Sequence, residues 1–532
     1  MLVNKIKRRF FLDKNEKYFI HFVKNFCKVI SNKAILIEAP LDDNFFLIKN
    51  FLIGKYLSYK YNCKLVYYIN LNRIRSFSSF YKFFYYKLVY NFFSFLKTKK
   101  LYNSFCDKIL LNCYYPNNNF YFNFKKFFKN KNLFNKIVNF RYRNVFIGDI
   151  IIDSYLYYFY NFLYPFKIEN CVYENNFKNH FIESLKLAES FFNLYKNNDI
   201  KYLINNYSGY LDHGLAAKFA EKNNVPIFYI SEVDRPFIKS RLSKHKRDYD
   251  NFKKIFVKLK NKNNKIKHCS NILKKRFSGK IDYPVSYLKN SYYKNTNIKI
   301  ANNSKKSICI FSHNTMDSLF GFESMLFFHQ KSWIEFTLDS LTNFNKKFNI
   351  FFKIHPNETV VGEIYLRNLV SKYKFVKILD KQTNNNSIIN SNLILGLTLH
   401  GTIGLELAYH KIPTIFANKN PYVAFDFCKN PQSINGYKLM LSNLESFKKK
   451  EKYKEESAIF YYMNNIFPGF GKISERRDDI LGLMKFNKLN NNFTSEQLGK
   501  YLSYINKNKI YKIFDKLKKS EETFDNFKIP TI

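Results

Sequence analysis

The sequence Asn349-Ile350-Phe351-Phe352-Lys353-Ile354-His355-Pro356-Asn357-Glu358 decides the fold class, because a short apolar run ends there in a polar turn. A second unit of this kind follows at 393–417, where an apolar run leads into Thr398-Leu399-His400-Gly401-Thr402-Ile403-Gly404-Leu405-Glu406. Short apolar runs that alternate with helical segments predict a parallel sheet with βαβ connections. Ligands of such sheets bind at the carboxyl ends of the strands, where both polar clusters fall.

The bulk composition predicts a globular chain of two domains. A length of 532 residues exceeds what one hydrophobic core usually holds. No apolar stretch approaches the roughly 18 residues needed to span a bilayer, and the N-terminus lacks the apolar core of a signal peptide. The eight cysteines are scattered without a Cys-x-x-Cys pair, which favours a reduced, cytoplasmic location.

The formal net charge of +47 has two interpretations. Lys, Asn, Phe, Tyr and Ile are abundant together, as A/T-rich codons would produce, so compositional drift explains much of the charge. Attraction to anionic lipids is the second interpretation, and it predicts peripheral contact with the inner face of the membrane. Nucleic acid is not an expected partner, because no recognisable nucleic-acid-reading motif accompanies the lysines.

Apolar runs and helical segments alternate in both halves of the chain, which predicts an α/β structure for each half. In the first half, strands are expected at 33–40, 64–69, 144–152, 201–205 and 224–230. Residues 240–300 are polar and lysine-rich, which indicates an interdomain linker before a new strand at 307–312. The expected boundaries are 1–300 for the first domain, 301–470 for the second and 471–532 for a helical tail.

The second domain resembles the capsule and surface-polysaccharide biosynthesis transferases, a family that includes enzymes using CMP-activated Kdo or sialic acid. The matching segments are Phe311-Ser312-His313-Asn314-Thr315-Met316-Asp317-Ser318, Trp333-Ile334-Glu335-Phe336-Thr337-Leu338, Lys353-Ile354-His355-Pro356, His400 to Glu406, Pro413 and Pro421-Tyr422. In the first domain, Gly148-Asp149-Ile150-Ile151-Ile152-Asp153-Ser154-Tyr155-Leu156 and Arg276-Phe277-Ser278-Gly279 are similar to family segments. The resemblance spans about residues 140–440. It implies an α/β fold of the GT-B type, with two Rossmann-like domains facing across a cleft and a helical C-terminal tail.

Lys353, His355 and Pro356 are predicted to bind the donor nucleotide. A proline directly after a strand ends the sheet and fixes its own φ near −65°. The preceding imidazole is then held at the strand end, where it can donate a hydrogen bond to a phosphate oxygen. The alternative is that His355 only caps the end of a strand.

The turn after the strand at 393–397 is predicted to complete the nucleotide site. Gly401 permits close approach of the backbone to a ligand, Thr402 offers a hydroxyl and a helix N-cap, and Gly404 lies in the first turn. Free amides there can bind a phosphate; the alternative is an ordinary capped helix. The resemblance implies that Glu406 contacts the ribose, whereas a helix-dipole partner is the alternative. His400 departs from the family, whose members often carry a small polar residue there.

Asp317 is the predicted catalytic base, since glycosyl transfer needs a group that takes the proton of the acceptor hydroxyl. The alternatives are His313 as the base, or neither residue. In the first domain, Asp212, His213 and Asp149 are predicted to lie on the acceptor side. Asp212 could orient an acceptor hydroxyl or serve as an alternative base, and Asp149 could bind the acceptor sugar. The alternative for both is a capped helix start.

No metal site and no cofactor are expected. The ten histidines do not cluster in the sequence, and the Asp-x-Asp at Asp248-Tyr249-Asp250 lies in a polar lysine-rich stretch. In a metal-independent GT-B enzyme, helix amides and basic side chains would stabilise the leaving nucleotide.

The resulting hypothesis is a glycosyltransferase that moves a sugar from a nucleotide-sugar donor to a glycan or glycolipid acceptor by direct displacement. A CMP-linked donor is implied by the resemblance alone. Three rivals stay open: a CDP-glycerol-type polyol-phosphate transferase, a nucleotide-sugar 2-epimerase, and a non-catalytic scaffold that binds glycan.

Overall fold

The computed structural model describes residues 9–24, 26, 28–40, 44–69, 92, 96–109, 124–129, 131–159, 168–229, 238–240, 243, 249–278, 304–315, 326–327 and 330–466. The chain forms two compact units. The described residues of the first fall within 1–159 and 169–247, and nearly all of those of the second within 248–467. The predicted helical tail at 471–532 lies outside the described residues.

The first unit is built on a six-stranded sheet in the order β3-β2-β1-β6-β7-β8. Its strands are parallel except β8, which runs antiparallel to β7. The strands are β1 (Ala34–Glu38), β2 (Lys64–Tyr68), β3 (Lys108–Ile109), β6 (Ile200–Asn205), β7 (Ile227–Tyr229) and β8 (Ile238–Ser240), with a separate hairpin of β4 (Arg141–Tyr142) and β5 (Val145–Phe146).

Helices cover the first sheet. They are α1 (Lys14–Val23), α2 (Asn44–Tyr61), α3 (Lys97–Asn103), α4 (Phe124–Phe128), α5 (Leu133–Val138), α6 (Gly148–Phe159), α7 (Ile168–Cys171), α8 (Asn175–Asn197) and α9 (Tyr210–Lys222). The core between α1, α2 and the sheet is aromatic. The ring of Phe51 lies 5.0 Å from that of Phe26 and 5.3 Å from that of Phe105, both edge to face.

The predicted strand at 144–152 is wrong over most of its length, because β5 covers only Val145–Phe146 and Gly148 begins helix α6. The β-branched run Ile150-Ile151-Ile152 imitates a strand, yet all three side chains are buried within the helix. A tight turn at Arg143 and Asn144, with φ of 49° and 63°, joins β4 to the two-residue strand β5. Gly148 is required at the helix start, since a Cβ there would lie 1.9 Å from the carbonyl oxygen of Ile137.

The second unit has a six-stranded parallel sheet in the order β11-β10-β9-β12-β13-β14. Its strands are β9 (Ser307–Phe311), β10 (Asn349–Lys353), β11 (Val376–Leu379), β12 (Leu393–Thr398), β13 (Thr414–Phe416) and β14 (Cys428–Lys429). Its helices are α10 (Phe252–Val257), α11 (Lys262–Phe277), α12 (Gln330–Leu341), α13 (Val360–Val370), α14 (Asn385–Ile389), α15 (Ile403–Tyr409), α16 (Ile434–Ser442) and α17 (Glu451–Tyr461).

Residues 252–277 belong to the second unit and are not a linker. Apolar residues at helical spacing bury one face of α10 and α11 against α15 and α17. The ring of Phe252 lies 6.0 Å from that of Phe460, and the ring of Phe277 lies 5.2 Å from that of Tyr409. The boundary between the two units therefore falls at residue 248, whereas the sequence predicts a domain boundary near residue 300. The segment at Arg276 to Ser278, which is similar to a family segment, accordingly lies in the second unit.

Each sheet has one point at which the chain reverses the direction of strand addition. β1 pairs with β2 on one side and β6 on the other, and β9 pairs with β10 and β12 in the same way. Loops diverge at such a switch point and leave a crevice at the carboxyl ends of the strands. The predicted α/β class with two Rossmann-like domains is confirmed by these two doubly wound units. Among the described residues, no helix combines the length and apolar character that a membrane span requires.

Candidate functional site

Three imidazoles meet at the carboxyl edge of the second sheet. His313, His355 and His400 are each the second residue after a strand, following β9, β10 and β12. The ring of His313 lies 4.0 Å from that of His400, edge to face, and 5.9 Å from that of His355. The structure therefore brings both sequence-predicted polar segments, at 355 and at 400, to one place beside the switch point. We call these three residues the imidazole cluster.

Hydrogen bonds to neighbouring loops fix the backbone of the cluster. The His355 N–H donates to Ser312 Oγ at 2.8 Å, and the His313 N–H donates to Gln330 Oε1 at 2.7 Å. The Asn357 N–H donates to His355 Nδ1 at 3.2 Å. Because Nδ1 accepts this bond, the neutral imidazole of His355 carries its proton on Nε2, which is then a hydrogen-bond donor.

Glu358 joins the loop after β9 to the turn after β10. Its buried carboxylate accepts hydrogen bonds from the Thr315 N–H at 2.9 Å, the Thr315 hydroxyl at 2.7 Å and the Thr359 N–H at 2.9 Å. A Cβ at Gly362 would lie 2.1 Å from Glu358 Oε1, so only glycine leaves room for this arrangement. The sequence alone predicts no role for Glu358, because its partner Thr315 is remote in the chain.

Lys353 lies beside the cluster in an unusual environment. It is buried at the end of β10, and its Nζ donates to the carbonyl oxygen of Asp380 at 2.6 Å. Burial lowers the pKa of Lys353 to about 7, against the weaker opposing influence of Cys309, Asp380 and Glu363. The ammonium group is thus held at the strand end, and its predicted contact with a nucleotide stays a prediction.

The turn before α15 differs from its prediction in two details. Thr402 occupies the N-cap position, but its side chain makes no capping hydrogen bond, because its helical backbone angles (φ −65°, ψ −12°) differ from those of an extended cap. Gly404 is required by packing, since a Cβ there would lie 2.2 Å from the ring of Phe416. Gly401 lies between Thr398 and Ile403, and Pro356 follows His355 as predicted.

Glu406 and Asp317 are the two remaining predicted residues of the second domain. Glu406 is buried in α15 and accepts a hydrogen bond from Asn385 Nδ2 at 3.1 Å, which gives it a partner on α14; the ribose contact stays a prediction. Asp317, the predicted base, lies outside the described residues, two positions beyond Thr315.

The first unit places a carboxylate and an imidazole at its own switch point. Glu38 is the last residue of β1, and its Oε1 lies 2.5 Å from Nδ1 of His213 in the first turn of α9. Both side chains are buried. Sequence reasoning selected His213 and missed Glu38, although a carboxylate at the end of the strand predicted for 33–40 was a usable signal.

The other two predicted acceptor-side residues, Asp149 and Asp212, are both buried in the first unit. Asp149 forms a buried ion pair with Lys218 at 3.0 Å, which ties α6 to α9. Asp212 is buried near His180. Burial lowers the pKa of His180 to about 4, against the weaker opposing influence of its hydrogen bond to the Ile151 carbonyl and of the Asp212 carboxylate. The structure thus gives Asp149 a structural partner; the acceptor roles of Asp149 and Asp212 stay predictions.

Within the part of the chain that the structure describes, no group of three His, Cys, Asp or Glu side chains has the geometry of a metal site. The three histidines of the imidazole cluster are among these described residues, and they form no such site.

No protein-family model and no curated protein matches the sequence. Solved structures that resemble the chain include the KpsC β-Kdo 2,4-transferase of Thermosulfurimonas dismutans, with 11% identity, 49% of this chain and 79% of that chain covered, and a TM-score of 0.33. The UDP-GlcNAc 2-epimerase of Neisseria meningitidis has 11% identity, 84% and 99% coverage and a TM-score of 0.25. The wall teichoic acid polymerase TagF has 12% identity, 89% and 94% coverage and a TM-score of 0.21. Similarity at this level assigns the chain to none of these classes.

Proposed function

We propose that the chain is a metal-independent glycosyltransferase that moves a sugar from a nucleotide-activated donor to a surface polysaccharide or lipid-linked glycan. The observation that carries this proposal is the imidazole cluster at the switch point of the second sheet, with ring distances of 4.0 and 5.9 Å. Ligands of doubly wound sheets bind at such a point. Imidazole N–H groups there suit the phosphate oxygens of a nucleotide.

The proposed chemistry is a direct displacement. The acceptor oxygen forms a bond to the anomeric carbon while the bond from that carbon to the donor phosphate breaks, and the electron pair leaves with the nucleotide. Donors that are already oriented stabilise the charge on the leaving phosphate. The Nε2–H of His355 is one such donor, because Asn357 occupies its Nδ1. His313, packed against His400, suits this phosphate-binding role better than that of the base, for which the sequence offers Asp317.

Nucleotide binding is the first test. CMP, CDP, UDP and GDP are added separately to the full chain and its unfolding temperature is measured. A nucleotide present at 100-fold its dissociation constant adds about 2.7 kcal/mol to the free energy of unfolding. His355→Ala should weaken the binding of that nucleotide by about tenfold to a hundredfold, the range of one hydrogen bond to a charged group. His268→Ala removes an exposed imidazole of the same unit and is the matched control.

Turnover is the second test. CMP-Kdo, CMP-sialic acid and UDP-GlcNAc are incubated with p-nitrophenyl glycosides as acceptor probes, and nucleotide release and glycoside products are measured. Transfer of phosphorus to the product would indicate a polyol-phosphate transferase, and an isomerised sugar without acceptor an epimerase. If none of the four nucleotides binds, or if His355→Ala binds and reacts as the wild type does, the proposed function is wrong.

A further inference from the structure

The Glu38–His213 pair lies where the first sheet would bind a ligand. Glu38 ends β1, and His213 follows the neighbouring strand β6, so both occupy the switch point between these strands. The Nδ1–Oε1 distance of 2.5 Å joins residues 175 positions apart in the chain. The His213 side chain keeps 11% of its surface exposed, whereas Glu38 keeps 3%.

The carboxylate of this pair is held rigidly. Its Oε2 accepts the Asn206 N–H at 3.1 Å, and its backbone carbonyl accepts Asn50 Nδ2 at 2.8 Å and Asn206 Nδ2 at 3.3 Å. An imidazole that donates its Nδ1–H to a fixed carboxylate has a fixed tautomer and ring orientation, with the lone pair on Nε2. Glu38 therefore prepares His213 to accept a proton at Nε2.

The surroundings of the pair are rich in hydrogen-bond acceptors. The side-chain oxygens of Asn50, Asn205 and Asn206 are buried and have no hydrogen-bond partner among the described residues. The amides of Asn50 and Asn206 both flank the Glu38 carbonyl, and Asn205 Nδ2 donates to the carbonyl of His213 at 3.0 Å. Buried acceptors favour a ligand that donates hydrogen bonds, and a carboxylate disfavours an anion. A sugar hydroxyl meets both conditions, and a phosphate meets neither.

We propose that this edge of the first unit binds the acceptor sugar and that His213, positioned by Glu38, is the proton acceptor of the transfer. The proposal rests on the proposed function and replaces Asp317 as the base. His213 Nε2 takes the proton of the acceptor hydroxyl as its oxygen bonds to the anomeric carbon and the donor phosphate leaves with its electron pair. Glu38 offsets the imidazolium charge, and the proton then passes to water.

The tautomer of His213 tests the pair without any substrate. In the full chain labelled with ¹⁵N-histidine, the His213 signals are assigned from their loss in His213→Asn. We expect the neutral ring to carry its proton on Nδ1, and the Glu38→Leu variant, which has no side-chain acceptor, to lose that preference. A proton on Nε2 in the wild type, or an unchanged tautomer in Glu38→Leu, overturns the proposal.

Turnover tests the proton transfer, with whichever nucleotide sugar and p-nitrophenyl glycoside the wild type uses. His213→Ala should lower kcat by about a hundredfold or more, the contribution of a general base, and added imidazole should restore part of it. Glu38→Gln should lower kcat with little change in KM. His21→Ala, which removes an exposed imidazole of the same unit, should leave kcat unchanged.

The outcomes separate the two proposals. Nucleotide binding that persists in His213→Ala, together with lost and imidazole-rescued transfer, supports both. Normal kcat in His213→Ala and a large loss in Asp317→Asn leave the proposed function standing and overturn this inference. Absence of nucleotide binding in the wild type contradicts the proposed function, while the tautomer of His213 still decides whether Glu38 and His213 form a polarised pair.

Discussion

At the scale of the residue, the buried ammonium of Lys353 makes stability depend on pH. Its pKa is lowered from 10.5 to about 7 by burial. Between these values the unfolded chain holds a proton on this lysine that the folded chain lacks, so the free energy of unfolding rises with pH. Below about pH 7 both states are protonated, and the full cost of the buried charge is present.

The lowered pKa of Lys353 predicts how the stability of Lys353→Met depends on pH. Relative to that variant, the wild type should gain about 2 kcal/mol of unfolding free energy between pH 7 and pH 9. Each pH unit over which the unfolded chain holds one proton more than the folded chain contributes about 1.36 kcal/mol. Urea unfolding at several pH values measures the difference. Lys347→Met, at an exposed lysine paired with Glu445, should run parallel to the wild type. Parallel curves for Lys353→Met as well would show that Lys353 keeps an ordinary pKa.

At the scale of the element, Glu358 links two strand-end loops. One carboxylate accepts four hydrogen bonds, two from Thr315 and two from Thr359. Glu358→Gln replaces one of its acceptor oxygens by a donor, so the unfolding free energy should fall by about 1–3 kcal/mol, the cost of losing a hydrogen bond to a charged group.

The same substitution should weaken nucleotide binding, because the loop that carries His313 is then held to the turn after His355 by fewer hydrogen bonds. Thermal shifts with the nucleotide that binds the wild type measure this. Glu445→Gln, which loses only an exposed ion pair with Lys347, should leave stability close to that of the wild type. Wild-type stability and affinity in Glu358→Gln would refute a role for this link.

Local pattern was sufficient for some elements and insufficient for others. The strands β9, β10 and β12 were predictable because each is a buried apolar run followed by a polar turn. The sequence of helix α6 predicts a strand because its three consecutive isoleucines are all buried, which removes the helical period from the sequence. The sequence of helix α11 predicts a linker because its six lysines and arginines obscure the three buried apolar residues Cys269, Leu273 and Phe277.

The sequence likewise predicts some parts of the candidate site and not others. Each imidazole of the cluster could be placed at a strand end from the sequence, and the order of parallel strands then brings the three together. Glu38 could not be connected to His213, since that contact depends on β6 pairing beside β1 across more than a hundred intervening residues. The packing that requires Gly404 against Phe416 is likewise invisible in the local sequence.

At the scale of the whole molecule, the net charge of +47 is the property that remains to be explained. Helix α11 concentrates part of it, with Lys267, Lys274 and Lys275 all exposed and no acidic residue in its sequence. If anionic lipids attract the protein, each such lysine near the surface contributes about 1 kcal/mol. Compositional drift alone accounts for the charge without requiring that the protein bind a lipid surface.

Vesicle sedimentation distinguishes these explanations. The full chain should bind phosphatidylcholine vesicles that contain phosphatidylglycerol at low salt and leave them as the salt concentration rises, because screening shortens the reach of the charges to about 3 Å at 1 M. The triple variant Lys267→Gln, Lys274→Gln, Lys275→Gln should bind more weakly while its stability stays close to that of the wild type, since all three side chains are exposed. Equal binding to pure phosphatidylcholine would point to an apolar contact. No binding to either vesicle would leave codon composition as the origin of the charge.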